Sequence, residues 1–266
     1  MVLWERLRYG LLVRRNDAKL QLKRFIMRAD IYLVENGFYP SRARAQAAIK
    51  AGMVSMNGTM IAKPNSKILE GAEVVAEAEH PWVSRGGLKL DHALKVFGIN
   101  VSGMTALDVG ASTGGFTDVL LARGAAKVYA VDVGTGQLHP RIKDDARVVS
   151  WESTDARTLR ADQFEPAPNI IVCDASFISC LKVLEIPLGI AAAGADLVTL
   201  VKPQFEVGRS GIGKGGIVKS QDAALQALDD VRDWVSLQGW AVRGSDTSPI
   251  TGGSGNTEFL LHAVKG

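Results

Sequence analysis

Four charged residues stand where predicted strands or helices begin or end, and their types suit the removal of a proton. Asp174 follows the apolar run IIVC, and Lys202 follows LVTLV. Lys89 lies early in a predicted helix after SRGG, and Glu258 precedes FLLHAV. Partial burial of one lysine beside another ammonium favours the neutral amine, which can accept a proton. Each residue alone could equally form a structural ion pair or snorkel to solvent, but the four together predict a deprotonating site.

A second group of residues predicts a site for an adenosine-type ligand. The stretch ALDVGASTGGF reads as a strand, a glycine-rich turn and a helix, in which Gly110, Gly114 and Gly115 allow close backbone approach. Asp132 ends the next strand, where its carboxylate could accept both hydroxyls of a ribose. Asp155 lies just past the third strand and could accept an adenine amino group. A tight turn or a capped strand end would explain each feature alone; together they favour a ligand.

Other apparent ligand motifs fail on their details. The stretch GRSGIGKG resembles a phosphate-binding P-loop, but Gly215 stands where that motif needs Ser or Thr for Mg²⁺. No strand leads into it, so we predict a flexible loop. Cys173 and Cys180 lack metal-ligand spacing, and the four histidines form no HxxxH pair. We therefore expect neither a metal site nor a disulfide.

Charge is unevenly distributed along the 266 residues, whose net charge is +3. Residues 1–26 contain seven Lys or Arg against two Asp or Glu, and residues 27–69 contain six against two. The rest of the chain is therefore acidic overall. A basic N-terminal part followed by an acidic remainder predicts that a polyanion binds to the N-terminal part, although a solvated basic surface would give the same charge distribution.

The predicted elements divide the chain into a small module and a larger α/β domain. Residues 1–26 are predicted to be a poorly ordered extension, with Met27 as an alternative start. Residues 27–79 read as helix, helix, hairpin and strand, and residues 80–87 as a linker. The remainder, 88–266, alternates strands with helices, which predicts a mostly parallel sheet covered on both faces.

Seven strands are predicted in this domain, and the last two are expected to pair antiparallel across a polar turn at 245–257. Helices are predicted at 88–97 and 220–238. No apolar run is long enough to cross a bilayer. The strands are predicted at 105–109, 127–133, 147–151, 169–173, 196–202, 240–244 and 258–264.

These motifs resemble the TlyA-type rRNA 2′-O-ribose methyltransferases, a family also called hemolysin A. The resemblance spans about residues 27–264 and implies an S4 RNA-binding domain, of α+β type, before an FtsJ-like domain. The latter is an α/β, Rossmann-like class I methyltransferase fold. The matching stretches, in family order, are RADIYLVENGFYPSRARAQAAIKAGMVSMNG, VSRGGLKL, ALDVGASTGGFTDVLL, VDVG, CDASFIS, LVKPQFE and NTEFLL.

The resemblance implies a function and a set of site residues. The substrate would be the ribose hydroxyl of cytidine in 16S and also 23S rRNA, and the enzyme would be a cytoplasmic monomer without metal or membrane. The catalytic tetrad would be Lys89, Asp174, Lys202 and Glu258. S-adenosylmethionine would be held by Gly110, Ser112, Thr113, Gly114, Gly115, Phe116, Asp132, Asp155 and Asp174. RNA contacts are predicted for Arg42, Arg44, Lys50 and Arg85.

Within the tetrad we assign Lys202 as the base, or as the group that orients the hydroxyl. Asp174 would position Lys202, and Glu258 would orient Lys89 or the ribose. Lys89, as the neighbouring ammonium, would favour the neutral amine of Lys202 and would touch the target nucleotide. Three other functions fit part of the pattern. They are a membrane-active toxin, a non-catalytic RNA-binding protein with this fold, and a base methyltransferase that uses Cys173.

Overall fold

The chain divides into two compact units, Met1–Pro81 and Trp82–Gly266, each with its own hydrophobic core. The computed structural model describes residues 6–7, 11–14, 27–39, 41–77 and 80–266.

The first unit contains two helices, α1 (Ala29–Glu35) and α2 (Arg42–Lys50). Its strands are β1 (Arg6–Leu7), β2 (Leu11–Arg14), β3 (Met27–Arg28), β4 (Val54–Met56), β5 (Thr59–Met60), β6 (Lys67–Ile68) and β7 (Val74–Glu77). Five of them form an antiparallel sheet in the order β1-β2-β7-β4-β5, while β3 pairs with β6.

Local signals in the sequence account for these elements. The Ser41 hydroxyl accepts the Arg44 amide at 3.4 Å and caps α2. Asn57 and Gly58 have φ values of 50° and 75°, the left-handed pair that a two-residue hairpin between β4 and β5 requires. Leu33, Ile49 and other apolar side chains pack the helices against the sheet.

Residues 6–7 and 11–14 belong to the predicted N-terminal extension. These residues form β1 and β2, and β2 pairs antiparallel with β7. Leu11, Leu12 and Val13 suit a strand, and β7 offers them an open edge to pair with. The rest of 1–26 lies outside the described residues.

The second unit is built on a seven-stranded sheet. Its strands are β8 (Thr105–Val109), β9 (Lys127–Val131), β10 (Val148–Trp151), β11 (Ile170–Cys173), β12 (Asp196–Val201), β13 (Trp240–Thr247) and β14 (Phe259–Lys265). The order is β10-β9-β8-β11-β12-β14-β13, and β14 alone runs against its neighbours. The predicted seven-stranded, mostly parallel sheet is confirmed.

Helices cover both faces of this sheet, as the alternation of elements predicts. They are α3 (Gly86–Val96), α4 (Gly115–Ala122), α5 (Pro140–Lys143), α6 (Cys180–Ile190), α7 (Pro203–Glu206) and α8 (Gln221–Leu237). Leu184 of α6 and Val231 of α8 belong to one buried layer, and Leu90 of α3 and Leu120 of α4 to the other. The sheet thus lies between two apolar layers.

Several element boundaries differ from the sequence prediction, among them the start of α3 and the end of β13. The helix expected from residue 88 begins at Gly86, so the last two residues of the predicted linker are helical. A Cβ at Gly87 would lie 2.4 Å from the Trp82 ring, which shows that this glycine serves close packing and does not break the helix. Strand β13 continues to Thr247, beyond its predicted end at residue 244. Polar residues alternate along this half-exposed edge strand, and in the sequence such a polar stretch resembles a turn.

Candidate active site

A cleft of about 530 Å³ opens at the edge of the sheet where β8, β11 and β12 end and β14 begins. This is the edge at which sheets of this kind bind ligands. All four residues of the predicted proton-transfer group line the cleft, namely Lys89, Asp174, Lys202 and Glu258. The structure therefore brings together side chains that lie up to 169 positions apart in the sequence.

Lys202 and Asp174 form one ion pair of the cleft. Lys202 immediately follows β12 and is 6% exposed, and its Nζ lies 2.6 Å from the Asp174 carboxylate. It also donates to the Asp174 backbone oxygen at 3.1 Å and to the Ser176 hydroxyl at 2.7 Å. Three oxygens thus fix the ammonium in one orientation at the cleft wall.

Lys89 and Glu258 form a second, more deeply buried ion pair. Lys89 on α3 is 7% exposed, Glu258 just before β14 is 3% exposed, and Nζ lies 2.5 Å from the carboxylate. Phe259 pairs with Val201 across the sheet, so this register brings Glu258 beside the end of β12, next to Lys202. Removing one partner of such a pair leaves an uncompensated buried charge and costs roughly 3–5 kcal/mol.

The glycine-rich turn after β8 forms the floor of the cleft. Gly110 has φ 81°, and a Cβ there would lie 3.0 Å from the backbone of Ala175, so a side chain cannot be accommodated. Ser112 has φ 47°, an uncommon value for a residue with a side chain, and its amide donates to Asp132 at 2.8 Å. Thr113 and Phe116 also line the cleft.

A neighbouring groove of about 590 Å³ extends from the glycine turn past β9 and β10. Asp132 and Asp155 both line it, together with Gly110 and Ser112. The Asp132 carboxylate accepts the Gly134 amide at 2.6 Å and still has lone pairs for hydroxyl donors. The two predicted acids therefore lie along one continuous surface that begins at the glycine turn.

Arg157, which the sequence prediction does not include, binds the Asp155 carboxylate. Its Nη2 lies 2.6 Å from Asp155, and its backbone amide donates to the same carboxylate at 3.0 Å. These contacts lower the pKa of Asp155, chiefly through the side-chain hydrogen bond from Arg157. The carboxylate is thus kept ionised and held in place beside the groove.

Gly114 differs from the other predicted ligand residues of the turn. It caps α4 with φ 92°, and a Cβ there would lie 2.9 Å from Leu138 and 3.2 Å from Ile142. The glycine is therefore required by packing behind the turn and lines neither the cleft nor the groove. Gly115, in contrast, lines the cleft.

Two aromatic side chains at the rim of the cleft are absent from the sequence prediction. Phe177 is 92% exposed with φ 66°, and its ring centroid lies 5.5 Å from that of Phe205. Exposure of an aromatic ring to water is unfavourable. Two neighbouring rings at the rim of a cleft therefore indicate a surface on which a flat ligand can stack. The sequence signal was Phe177 itself, an aromatic residue outside any apolar periodicity.

Cys173 lies at the end of β11, beside Asp174, but its surroundings do not suit nucleophilic catalysis. It is fully buried, and burial raises the pKa of its thiol to about 11. A thiol with such a pKa is almost entirely protonated at neutral pH and is a poor nucleophile. This geometry disfavours a cysteine-based base methyltransferase.

The predicted RNA-binding residues occupy different positions in the two units. Arg42, Arg44 and Lys50 belong to α2 in the first unit, where Lys50 is exposed and Arg42 binds the buried Asp30 carboxylate at 2.9 Å. Arg85 is exposed immediately before α3 in the second unit. The described residues contain no group of His, Cys, Asp and Glu that could hold a metal ion.

Comparisons with known proteins decide the family. An FtsJ-like methyltransferase model matches residues 82–265, and an S4 domain model matches residues 27–74. The 16S/23S rRNA (cytidine-2'-O)-methyltransferase TlyA of Mycobacterium tuberculosis is 44% identical over 236 residues, which are 88% of this chain and 88% of that protein. The chain belongs to the TlyA family.

Further relatives of this TlyA-family chain agree with that assignment. Hemolysin A of Brachyspira hyodysenteriae is 39% identical over 239 residues, 90% of this chain and all of that protein. A solved structure from Streptococcus thermophilus is 42% identical with a TM-score of 0.71, covering 90% of this chain and 88% of the other. These matches confirm the predicted family and the predicted fold class, an S4 domain before an FtsJ-like methyltransferase domain. Within the described part of the chain, no helix is long and apolar enough to cross a membrane.

Proposed function

We propose that the chain transfers a methyl group from S-adenosylmethionine to the 2′-hydroxyl of cytidine in ribosomal RNA. The observation that carries the proposal is that two ion pairs, Lys202–Asp174 and Lys89–Glu258, line one cleft beside a glycine turn. The Mycobacterium tuberculosis relative is a 16S/23S rRNA (cytidine-2'-O)-methyltransferase, which catalyses the same reaction. We extend this reaction to the 16S and 23S RNA of the ribosomal subunits that this chain meets. In this proposal the chain acts in the cytoplasm and as a monomer.

The groove beside the cleft has the chemistry that an adenosine-type cofactor needs. Gly110 leaves room for close backbone approach, Asp132 can accept ribose hydroxyls, and Asp155 can accept the adenine amino group. When bound, S-adenosylmethionine supplies a methyl group on a positively charged sulfur. Thr113, Gly115 and other residues of the turn would then face its methionine part.

Lys202 is the residue that we place against the substrate hydroxyl. A ribose hydroxyl that accepts a methyl group must lose its proton. As a neutral amine, Lys202 takes that proton; as an ammonium, it fixes the hydroxyl in line and the proton passes to water in the cleft. Asp174 and Ser176 orient Lys202 in either case, because both hold its Nζ within 3.1 Å. Positioning alone can lower a barrier by roughly 7–11 kcal/mol.

The rim aromatics Phe177 and Phe205 suit an unstacked base of the target nucleotide. Enzymes that modify a nucleotide commonly hold it out of its helix and stack it on aromatic side chains. Phe177 is the more exposed ring and belongs to the loop that carries Asp174 and Ser176. A base held there would direct its ribose toward the two lysines of the cleft.

Methylation of isolated ribosomal subunits tests this function. Purified chain, labelled S-adenosylmethionine and unmodified subunits should yield product whose label maps to a 2′-oxygen of cytidine. Lys202→Met should reduce the rate at least about 100-fold, the size typical of losing an acid–base group. Cofactor binding, measured by calorimetry, should be unchanged.

The matched control is Lys182→Met, which alters an exposed lysine on α6. It should methylate at the wild-type rate. Thermal unfolding of both variants separates loss of catalysis from loss of fold, because Lys202→Met leaves Asp174 without its partner. Near wild-type activity of Lys202→Met, or label on a base, would overturn the proposal.

A further inference from the structure

The first unit contains a buried carboxylate that binds two arginines at once. Asp30 on α1 is 0% exposed. It accepts from Arg28 Nε at 3.0 Å and Nη2 at 3.1 Å, from Arg42 Nη2 at 2.9 Å and from Gln46 Nε2 at 2.7 Å. These donors hold the pKa of Asp30 well below its usual range, with the hydrogen bond from Arg28 as the largest cause.

Asp30 connects elements that are separate in the sequence. Arg28 belongs to β3, while Arg42 and Gln46 lie on α2, one turn apart. The carboxylate therefore fixes the N-terminal turn of α2 against the chain that enters α1. Two long, flexible side chains acquire a common anchor and a defined separation.

The arginines remain open to solvent although their anchor is buried. The side chain of Arg28 is 48% exposed and that of Arg42 is 56% exposed. Each guanidinium has N–H donors that Asp30 does not use, in the planar arrangement that matches two phosphate oxygens. Two positive groups around one negative group leave the cluster with a net positive charge.

We propose that Arg28, Arg42 and Asp30 form a preorganised RNA phosphate-binding site in which Asp30 is the positioning residue. The inference rests on the proposed function, because the phosphate donor is the substrate RNA. Arg28 and Arg42 would each bind backbone phosphate. Asp30 would restrict their rotamers beforehand, so that less conformational entropy is lost when RNA binds.

The two roles that Asp30 could have differ in the sign of one measurement. A carboxylate that did nothing for the arginines would only repel RNA, so its neutralisation would strengthen RNA binding. A carboxylate that positions them would have the opposite effect. Asp30→Asn should therefore weaken binding although it raises the net charge by one unit.

Equilibrium binding of the full chain to a ribosomal RNA fragment, at several salt concentrations, provides the test. We expect Asp30→Asn to weaken binding about tenfold, the effect of losing about one charge-assisted contact. Arg28→Gln and Arg42→Gln should each reduce the salt dependence of log K by about one phosphate contact. Glu35→Gln, which neutralises an exposed acid on the same helix, should leave binding unchanged or slightly tighter.

A positioning role requires that the Asp30 effect depends on the arginines. In an Arg28→Gln/Arg42→Gln background, Asp30→Asn should cause no further loss of affinity. An equal loss in both backgrounds would mean that the variant damages the fold generally, and tighter binding of Asp30→Asn alone would mean that Asp30 only repels RNA. Either result would overturn the inference while leaving the proposed function intact.

A second variant keeps the test decisive if Asp30→Asn fails to fold. Arg28→Lys retains the charge of an exposed residue but cannot form the two-point contact with Asp30. It should weaken RNA binding several-fold, and wild-type affinity would contradict the inference. If the wild-type chain neither binds nor methylates ribosomal RNA, the proposed function itself fails.

Discussion

Asp108 is a buried acid on β8, directly beneath the glycine turn. It is 0% exposed, and one carboxylate oxygen accepts the Thr117 hydroxyl at 2.6 Å. The other oxygen has no hydrogen-bond partner among the residues that the structure describes. Burial, together with the nearby charges of Asp174 and Asp132, raises the pKa of Asp108 to about 7. Its charge state therefore changes close to neutral pH.

This residue predicts a pH dependence of stability. The pKa in the folded state lies above the value near 3.9 of an unfolded chain, so the folded state binds more protons between these values. The contribution of Asp108 is fully present below about pH 4 and is lost as pH rises through about 7. Asp108→Asn should therefore show a smaller decrease in the free energy of unfolding between pH 5 and pH 8 than the wild type does.

Denaturant unfolding at both pH values measures this difference, which should be on the order of 1–3 kcal/mol. Asp233→Asn on α8 is the control, because that acid is exposed. If Asp108→Asn and the wild type lose stability in parallel as pH rises, Asp108 does not carry the raised pKa.

Single residues show where sequence reasoning succeeds and where it stops. Lys202 and Asp174 could be predicted to meet, because each follows an apolar strand and parallel strands end at one edge of a sheet. The Arg157–Asp155 pair and the protonation of Asp108 could not, since both depend on rotamers and on burial that no spacing encodes. Phe177 lies in a loop, outside any helix or strand, so periodicity could not reveal its role.

Among the elements, two glycine-rich loops stand over the cleft and are tied together by one side chain. Asn256 is 3% exposed, accepts the Val218 amide at 2.9 Å and donates to the Gly216 oxygen at 2.9 Å. The first loop contains the stretch that resembles a P-loop; Ile212 of that stretch and Gly216, which follows it, line the cleft. The loop is thus fastened to the segment that leads into Glu258.

Replacing Asn256 should loosen this fastening. Asn256→Ala removes two side-chain hydrogen bonds of roughly 1 kcal/mol each, from the Val218 amide and to the Gly216 oxygen. Trypsin should then cut after the exposed Lys214 several-fold faster, and the methylation rate should fall while global stability decreases only modestly. Asn100→Ala, at an exposed turn where the carboxamide oxygen accepts the Ser102 amide, is the control. Unchanged proteolysis in Asn256→Ala would show that the loop is held by other contacts.

The bounds of a strand could be predicted best where the strand is apolar throughout. The buried strand β8 has the bounds that its apolar run predicts, because both of its faces are covered. β13 was predicted too short, since its outward residues are polar and only its pairing with β14 identifies them as a strand. β2 was not predicted, because its place in the sheet depends on pairing with β7, more than fifty residues further along the chain.

At the scale of the whole molecule, the two units have separate cores. The core of the first lies within residues 29–76, and the two layers of the second use residues from 82 onward. The charge distribution of the sequence follows the same division, with the excess of basic residues in the first unit. The units therefore satisfy the usual conditions for independent folding.

A fragment of residues 82–266 should consequently fold and bind S-adenosylmethionine with the affinity of the full chain. Its affinity for ribosomal subunits should fall roughly 100-fold or more, because a second binding module no longer adds to the first. Circular dichroism, calorimetry and subunit binding measure the three properties. A fragment that folds but loses cofactor affinity would show that the first unit contributes to the cofactor site.

The antiparallel pairing of β14 with β12 sets which changes in chain length this enzyme can tolerate. Lys202 and Glu258 are neighbours because Val201 is opposite Phe259, whatever the length of the chain between them. Insertions or deletions between α7 and β14 can therefore vary the loops without moving the reactive groups. One residue inserted within β12 or β14 would instead slide the strand by about 3.3 Å and turn every following side chain to the opposite face. Natural length variation in this family should accordingly be confined to the loops and be absent from these two strands.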